Sequence, residues 1–319
     1  MAKVVAGDVD NIDAYFMRTF LTELRSDLVH MLFGQVKTIP RKSGSKVARF
    51  RRWNKMAAAT TALTEGTEPT VGSITNTDIT ATIAQYGDWL QFTDLADFTT
   101  MDPLATVFTQ EQGAQASLTL DTLTRDVLVA GTSVTYGGTA TSRVTVAAGD
   151  VIDLADVEAA YLVLAGNDAK PIKQFVNPST NVATEAVNPS YVGICGYDIG
   201  LQISKLTGFI DVKDYGSREN IMPGELGSLN KIRFVQTTNA KVFTGEGAAG
   251  IDVYPVLFLG KDAYGLISVG GESMHLYRDA PGEHGSDILR QNSAMGWKTA
   301  FVAKILDNRA LHRLEVALT

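Results

Sequence analysis

The sequence has 319 residues, with 28 Lys and Arg against 35 Asp and Glu, a net charge of −7 and a pI of about 5.2. Hydrophobic residues at 45%, charged residues at 20% and aromatics at 8% exclude wholesale disorder, a collagen-like repeat and a highly charged nucleic-acid tail. One cysteine, Cys195, excludes an internal disulfide and a thiolate cluster, Asp8, Asp10 and Asp13 break any signal sequence, and no apolar run approaches the roughly 20 residues that cross a bilayer.

In chain order, Ile12, Phe16, Phe20, Leu24, Leu28 and Leu32 fall at helical spacing, which predicts an amphipathic helix from Ile12 to Phe33 with Gly34 as its left-handed C-cap. Its apolar face must dock, either on the core of the same subunit or on a neighbour. Val36–Ile39 and Val47–Trp53 predict strands, and Ile79, Ala81 and Ile83 alternate with Thr80, Thr82 and Ala84 on a return strand. The Thr-, Ala- and Gly-rich stretch from Ala57 to Thr77 makes the unit a long two-stranded excursion, a form that is marginal unless it lies on a surface.

Charge is segregated along this excursion. Lys37, Arg41, Lys42, Lys46, Arg49, Arg51, Arg52 and Lys55 occur without an acid, and then Glu65, Glu68 and seven further acids up to Asp121 occur without a base. The basic segment is open to three readings: a solvated strand, a nucleic-acid contact, or pairing with an acidic surface in the same subunit or the next. Overall acidity disfavours the second, because it repels phosphate at long range.

Asp102-Pro103 predicts the start of a helix running to Ala130 and stopping at Gly131, with Asp121 and Arg125 as an i, i+4 pair and a Gln- and Thr-rich middle that is only partly buried. A hairpin at Gly137-Gly138 and a helix from Asp153 to Ala165 follow, and Asn177-Pro178 and Asn188-Pro189 punctuate loops. From Ile199 onward short strands dominate, giving an α+β class, and Trp297–Leu306 and Leu311–Leu318 are expected to pair as strands.

No catalytic constellation emerges. His30, His275, His284 and His312 stand in separate contexts, and Cys195 between Ile194 and Gly196 reads as a buried, inert thiol. Gly245-Glu246-Gly247-Ala248-Ala249-Gly250 matches G-x-G-x-x-G formally. The β-branched and proline-bearing Ile251–Val256 that follows cannot start the helix a dinucleotide needs. Trp53 and Trp89 read as packing on the hairpin's flanks in preference to glycan stacking. An enzyme, a cofactor and a metal are therefore not expected.

The order of helix, long hairpin, long helix and mixed domain is similar to that of the major capsid proteins of tailed phages with the Hong Kong 97-type fold. The chain resembles more closely the N-four-like major capsid protein family. That resemblance rests on Ile39-Pro40 with Arg49-Phe50-Arg51-Arg52, Leu63 to Pro69, Pro223-Gly224-Glu225-Leu226-Gly227-Ser228-Leu229 with Arg233-Phe234, Tyr264-Gly265, and Gly296-Trp297-Lys298 before Ile305-Leu306. It covers about residues 10 to 318, with a departure at Ile194-Cys195-Gly196-Tyr197.

The resemblance implies an α+β coat-protein fold divided into an N-terminal arm helix (1–35), an E-loop hairpin (36–94), a spine helix and peripheral domain (95–188), an axial domain (189–258) and a return to the peripheral domain (259–319). It further implies a virion coat subunit made in the host cytoplasm, forming pentamers and hexamers around double-stranded DNA without sequence-specific binding or membrane contact. A separate scaffolding protein, a portal and a decoration protein would be its partners. The expected inter-subunit contacts are Phe16, Phe20, Lys37, Arg41, Lys42, Lys46, Arg49, Arg51, Arg52, Glu65 and Glu68, with the basic strand on an acidic surface of the adjacent subunit. A bacterial nanocompartment shell and a non-assembling enzyme or glycan-binding protein are the alternatives.

Overall fold

The structure, a computed structural model, describes residues 15–22, 28–40, 45–68, 71–176, 184–215, 221–269, 274–279, 289 and 291–318. A first helix, α1, spans residues 15–22, and β1 (Gln35–Ile39), β2 (Val47–Trp53), β3 (Asn76–Thr82) and β4 (Ala84–Thr93) follow. The helix predicted to run to Phe33 is shorter than expected, because residues 28 and 29 are not helical and residues 30–33 form a turn. Gly34 is not a C-cap: a Cβ there would come within 2.6 Å of the Tyr264 ring, so close packing demands the glycine. Ile12, where that helix is predicted to begin, lies outside the described residues.

Strands β2 and β3 pair antiparallel with Phe50 opposite Ile79 and Ala48 opposite Ala81, so the alternation read from the sequence sets the register. Chain continues through α2 (Asp94–Thr99) into the long α3 (Leu104–Val129), whose 26 residues extend about 39 Å at 1.5 Å per residue. Pro103 is itself the cap residue and Asp102 makes no cap. The predicted Asp121–Arg125 pair does not form, since Asp121 turns inward to His30 and Arg125 binds Asp126 and Asn239.

β5 (Val134–Tyr136) pairs parallel with the last strand, so Gly137-Gly138 is a turn and not a hairpin. Then come α4 (Leu154–Gly166), capped by Asp153 and lying where the sequence predicts a helix, β6 (Ile172–Val176), β7 (Thr184–Gly196) and α5 (Tyr197–Ile203). β8 (Ile210–Asp211), β9 (Glu225–Leu229), β10 (Ile232–Thr237), β11 (Tyr254–Leu259), β12 (Tyr264–Val269), β13 (Met274–Asp279), β14 (Asn292–Ile305) and β15 (Leu311–Val316) complete the chain. Asn188-Pro189 is not a loop but lies within β7, where the register with β6 is broken and the missing N–H costs no ladder bond. Asn177-Pro178 lies outside the described residues.

Two sheets carry the fold. A five-stranded sheet runs β1-β12-β14-β13, with β4 also on β14. An eight-stranded sheet runs β5-β15-β11-β7-β10-β9-β8, with β6 on β7. The expected pairing of the two C-terminal segments is corrected: β14 and β15 belong to different sheets, because the turn at Asp307–Ala310 carries the chain from one to the other. Residues after 259 are thus shared between both sheets.

The eight-stranded sheet is buried on both faces. Val192, Ile194, Leu257 and Leu259 point into a core shared with α3, β12 and β14, while Tyr191, Cys195, Val256, Phe258 and Leu314 meet α4 and α5. The glutamines of α3 are bonding groups on this framework: Gln112 Nε2 donates to the Met295 carbonyl at 2.8 Å, and Gln115 accepts from Trp297 Nε1 at 3.0 Å.

Candidate inter-subunit interface

The hairpin β2–β3 rests on the body through a small cluster of Ala48, Phe50, Ala81, Ile267 and Leu306. Two basic side chains expected to reach a neighbour are engaged within the subunit. Arg51 Nε donates to Asp78 Oδ1 directly across the strand pair at 3.1 Å, and Arg52 Nη1 meets Asp307 Oδ1 at 2.7 Å. Lys55 Nζ lies 2.8 Å from Asp168 Oδ2, and that hydrogen bond holds the Asp168 carboxyl below its usual range. Lys37 Nζ donates to the Arg49 carbonyl at 2.6 Å and stands 4.9 Å from the Phe50 ring centroid. The acidic surface expected on an adjacent subunit is therefore, for Arg51 and Arg52, supplied by the same chain.

Lys46 and Arg49 are exposed and form no ion pair among the described residues. Arg41 and Lys42 lie outside those residues. Beyond β2, residues 54–68 are exposed throughout; Glu65 and Glu68 stand there, with Leu63 at 77% exposure, and the structure does not bring them to the basic strand. A second apolar surface, which the sequence reading missed, comprises Leu95, Phe98 and Met101 around α2, where Phe98 is 84% exposed. An amphipathic six-residue helix gives too little periodicity to reveal such a face.

Phe16 and Phe20 are corrected from neighbour contacts to contacts within the subunit. Phe20 is fully buried in the main core, and Phe16 is covered in part by the Arg278 guanidinium 4.9 Å from its ring. Just beyond, both the backbone N–H and Nδ1 of His30 bond the Asp121 carboxylate, at 2.8 and 2.7 Å, and Asn239 Nδ2 adds a third contact at 2.9 Å. Tyr264 donates its hydroxyl to the His30 carbonyl. The segment after α1, the middle of α3, the turn after β10 and β12 are thereby joined at one buried carboxylate.

The segments that carried the family resemblance are packing determinants. Glu225, fully buried, receives Arg233 Nε at 2.6 Å and Nη2 at 2.5 Å, together with the Tyr215 hydroxyl and the Met222 N–H. Gly224 adopts φ +73°, which favours glycine, and a Cβ on Gly227 would lie 2.3 Å from the Ile210 carbonyl oxygen. A Cβ on Gly265 would meet the Phe50 ring at 2.6 Å.

The candidate reactive groups read from the sequence are placed as follows. Cys195 is buried, which pushes its thiol up to about 12. The glycine loop after Phe243 leads through a three-residue turn at Ala248–Gly250 into β11. Among the described residues no group of three or more His, Cys, Asp and Glu side chains is placed to hold a metal, and no helix is long and apolar enough to cross a membrane. Trp53 and Trp89 depart from expectation: instead of packing on the hairpin's flanks they are 56% and 55% exposed.

No protein-family model and no curated protein sequence matches the chain. Solved structures do match. The capsid of Ralstonia phage GP4 superposes with a TM-score of 0.69 at 15% identity, covering 90% of this chain and 87% of that one. The head structure of Helicobacter pylori bacteriophage KHP40 gives 0.64 at 13% identity, over 93% and 91% of the two chains. The capsid asymmetric unit of cyanophage Pam1 gives 0.63 at 12%, over 90% and 88%. The chain has the α+β, Hong Kong 97-type fold of tailed-phage major capsid proteins.

Proposed function

We infer that the chain is the major coat protein of a tailed, double-stranded-DNA phage, assembling into the pentamers and hexamers of an icosahedral shell, and that it belongs with the N-four-like coat proteins. The observation that carries this reading is the extent of the fold likeness. It runs over 90% of this chain and 87% of the GP4 capsid chain. The exposed hairpin and the apolar surface at α2 fit a subunit that completes its burial by association.

In this reading residues 1–35 are the arm, residues 36–94 the E-loop, residues 95–188 the spine helix α3 and peripheral domain, residues 189–258 the axial domain, and residues 259–319 the return to the peripheral domain. Arg49 on β2 and Lys46 just before it, with Arg41 and Lys42 further upstream, meet acidic side chains of the neighbour, and Glu65 and Glu68 at the tip meet its bases. Lys37 stays with its own hairpin. Each exposed pair contributes less than about 1 kcal/mol, so assembly depends on many such contacts made together. A separate scaffolding protein, a portal and a decoration protein complete the particle, and assembly takes place in the host cytoplasm.

Sedimentation and negative-stain microscopy of the chain co-expressed with the scaffolding protein of its own phage test the reading. Closed shells are the expected product. Monomers and dimers alone under those conditions would refute it, and closed shells that hold protein cargo in infected cells in place of DNA would favour a nanocompartment.

A further inference from the structure

Between the root of the hairpin and the body lies a cleft of about 720 Å³ whose charge is opposite to that of the whole protein. Seven basic side chains line it against three acidic ones, Asp168, Asp262 and Asp307, in a chain whose net charge is −7. Two of those acids are already engaged. Asp307 is shared by Arg52 at 2.7 Å and Arg309 at 3.1 Å, and Asp168 is taken by Lys55.

Lys170 and Lys261 form no ion pair among the described residues, and the Lys261 N–H bonds the Lys170 carbonyl at 2.8 Å, so the two lysines stand side by side on the cleft wall. Lys37, one of whose Nζ–H groups is taken by the Arg49 carbonyl, is a third cation lining the cleft. The buried Nε–H of Arg52 has no acceptor among the described residues, a donor that an entering anion would satisfy. At the rim the Trp53 indole is 56% exposed. Clustered cations beside an exposed indole are the elements with which proteins hold a phosphate and stack the base attached to it.

We propose that this cleft binds a nucleoside phosphate, its phosphates on Lys37, Lys170 and Lys261 and its base stacked on Trp53. The ligand is either a free nucleotide or the end of a single DNA strand. The inference holds whether or not the chain assembles, because every residue it uses belongs to one subunit.

Calorimetric titration of the full chain with inorganic pyrophosphate, ADP and pentathymidylate at about 0.15 M salt, where long-range attraction is screened, tests it. Saturable binding of ADP assigns a free nucleotide, and binding of pentathymidylate without ADP assigns a strand end. The double variant Lys170→Ala, Lys261→Ala is expected to weaken binding by about tenfold or more. Trp53→Ala is expected to weaken nucleotide binding while leaving pyrophosphate unchanged. Absence of saturable binding by all three probes, or binding that the lysine pair does not affect, overturns the site. Equal effects of Trp53→Ala on pyrophosphate and nucleotide overturn the stacked base. Binding of a peptide of residues 60–71 in place of the phosphates gives the cleft to an acidic segment of a second copy and likewise overturns the proposal.

Discussion

Replacing Phe50 by alanine is expected to detach the hairpin while leaving both sheets folded. Phe50 is 7% exposed and is the one aromatic in the five-residue cluster that seats β2 and β3 on β12 and the end of β14. Truncating a buried phenylalanine costs about 3–5 kcal/mol, and the low end applies where the surroundings can relax, as beneath a surface hairpin. A two-stranded hairpin is marginal alone, so the cost falls on docking and not on global stability. About 3 kcal/mol raises the undocked population by roughly a hundredfold, since each 1.4 kcal/mol is a factor of ten. Amide exchange in residues 47–53 and 76–82 is expected to quicken by that factor while β7, β10 and β11 keep their protection. Gly265→Ala is expected to act in the same direction, because its Cβ would meet the Phe50 ring at 2.6 Å. Uniform loss of protection across both sheets would refute this reasoning, as would no change at the hairpin.

Glu225→Gln is expected to cost about 1–3 kcal/mol in urea unfolding by removing the buried carboxylate that receives Arg233, the Tyr215 hydroxyl and the Met222 N–H; a cost below about 1 kcal/mol would contradict the burial of that carboxylate. His312, buried and bonded to Ser133 and Thr135, is lowered from 6.5 to about 4 by burial and by Arg313. As pH falls through that window the unfolded imidazole takes up a proton before the folded one, so stability drops. Asp156, raised to about 6 chiefly by burial, takes up its proton first in the folded state and opposes the drop. Urea midpoints between pH 7 and 4 are therefore expected to flatten in His312→Gln and steepen in Asp156→Asn. Lys46→Glu with Arg49→Glu is expected to lower the yield of shells and steepen its salt dependence with the subunit still folded, and unchanged assembly by sedimentation would remove both residues from the interface.

Local signals were legible where the chain's own neighbours decide the outcome. The helix read from Asp153 to Ala165 is present as α4, and the alternation around Ile79 fixes the β2–β3 register. β7 was hidden because Asn188-Pro189 reads as a turn unless its partner strand is known to be irregular at that point. The same limit applied to the interface residues. A run of bases is visible in the sequence, but Lys55 finds Asp168 at a separation of 113 residues, and Arg52 finds the Leu306 carbonyl at 254. Only the tertiary fold reveals that these charges are spent within the subunit. Phe16 and Phe20 illustrate the converse: helical spacing predicts that a face is covered without saying by what.

Both legs of the hairpin enter one sheet. β1 lies parallel on β12, β4 lies antiparallel along ten residues of β14, and β12 and β14 are themselves neighbours. A leaf hung from two such feet can swing but cannot slide, because a one-residue slip of β4 would turn Tyr86 and Leu90 from the α3 side to the other face. The seven-residue strands beyond the feet make an arm of about 23 Å at 3.3 Å per residue. A swing of about 10° at Ile83, the one residue between β3 and β4, would then carry the end of that arm about 4 Å sideways at constant register. In such a swing, which would require the cluster around Phe50 to release, the sheet would act as a bearing that turns small angular play at its edge into lateral reach.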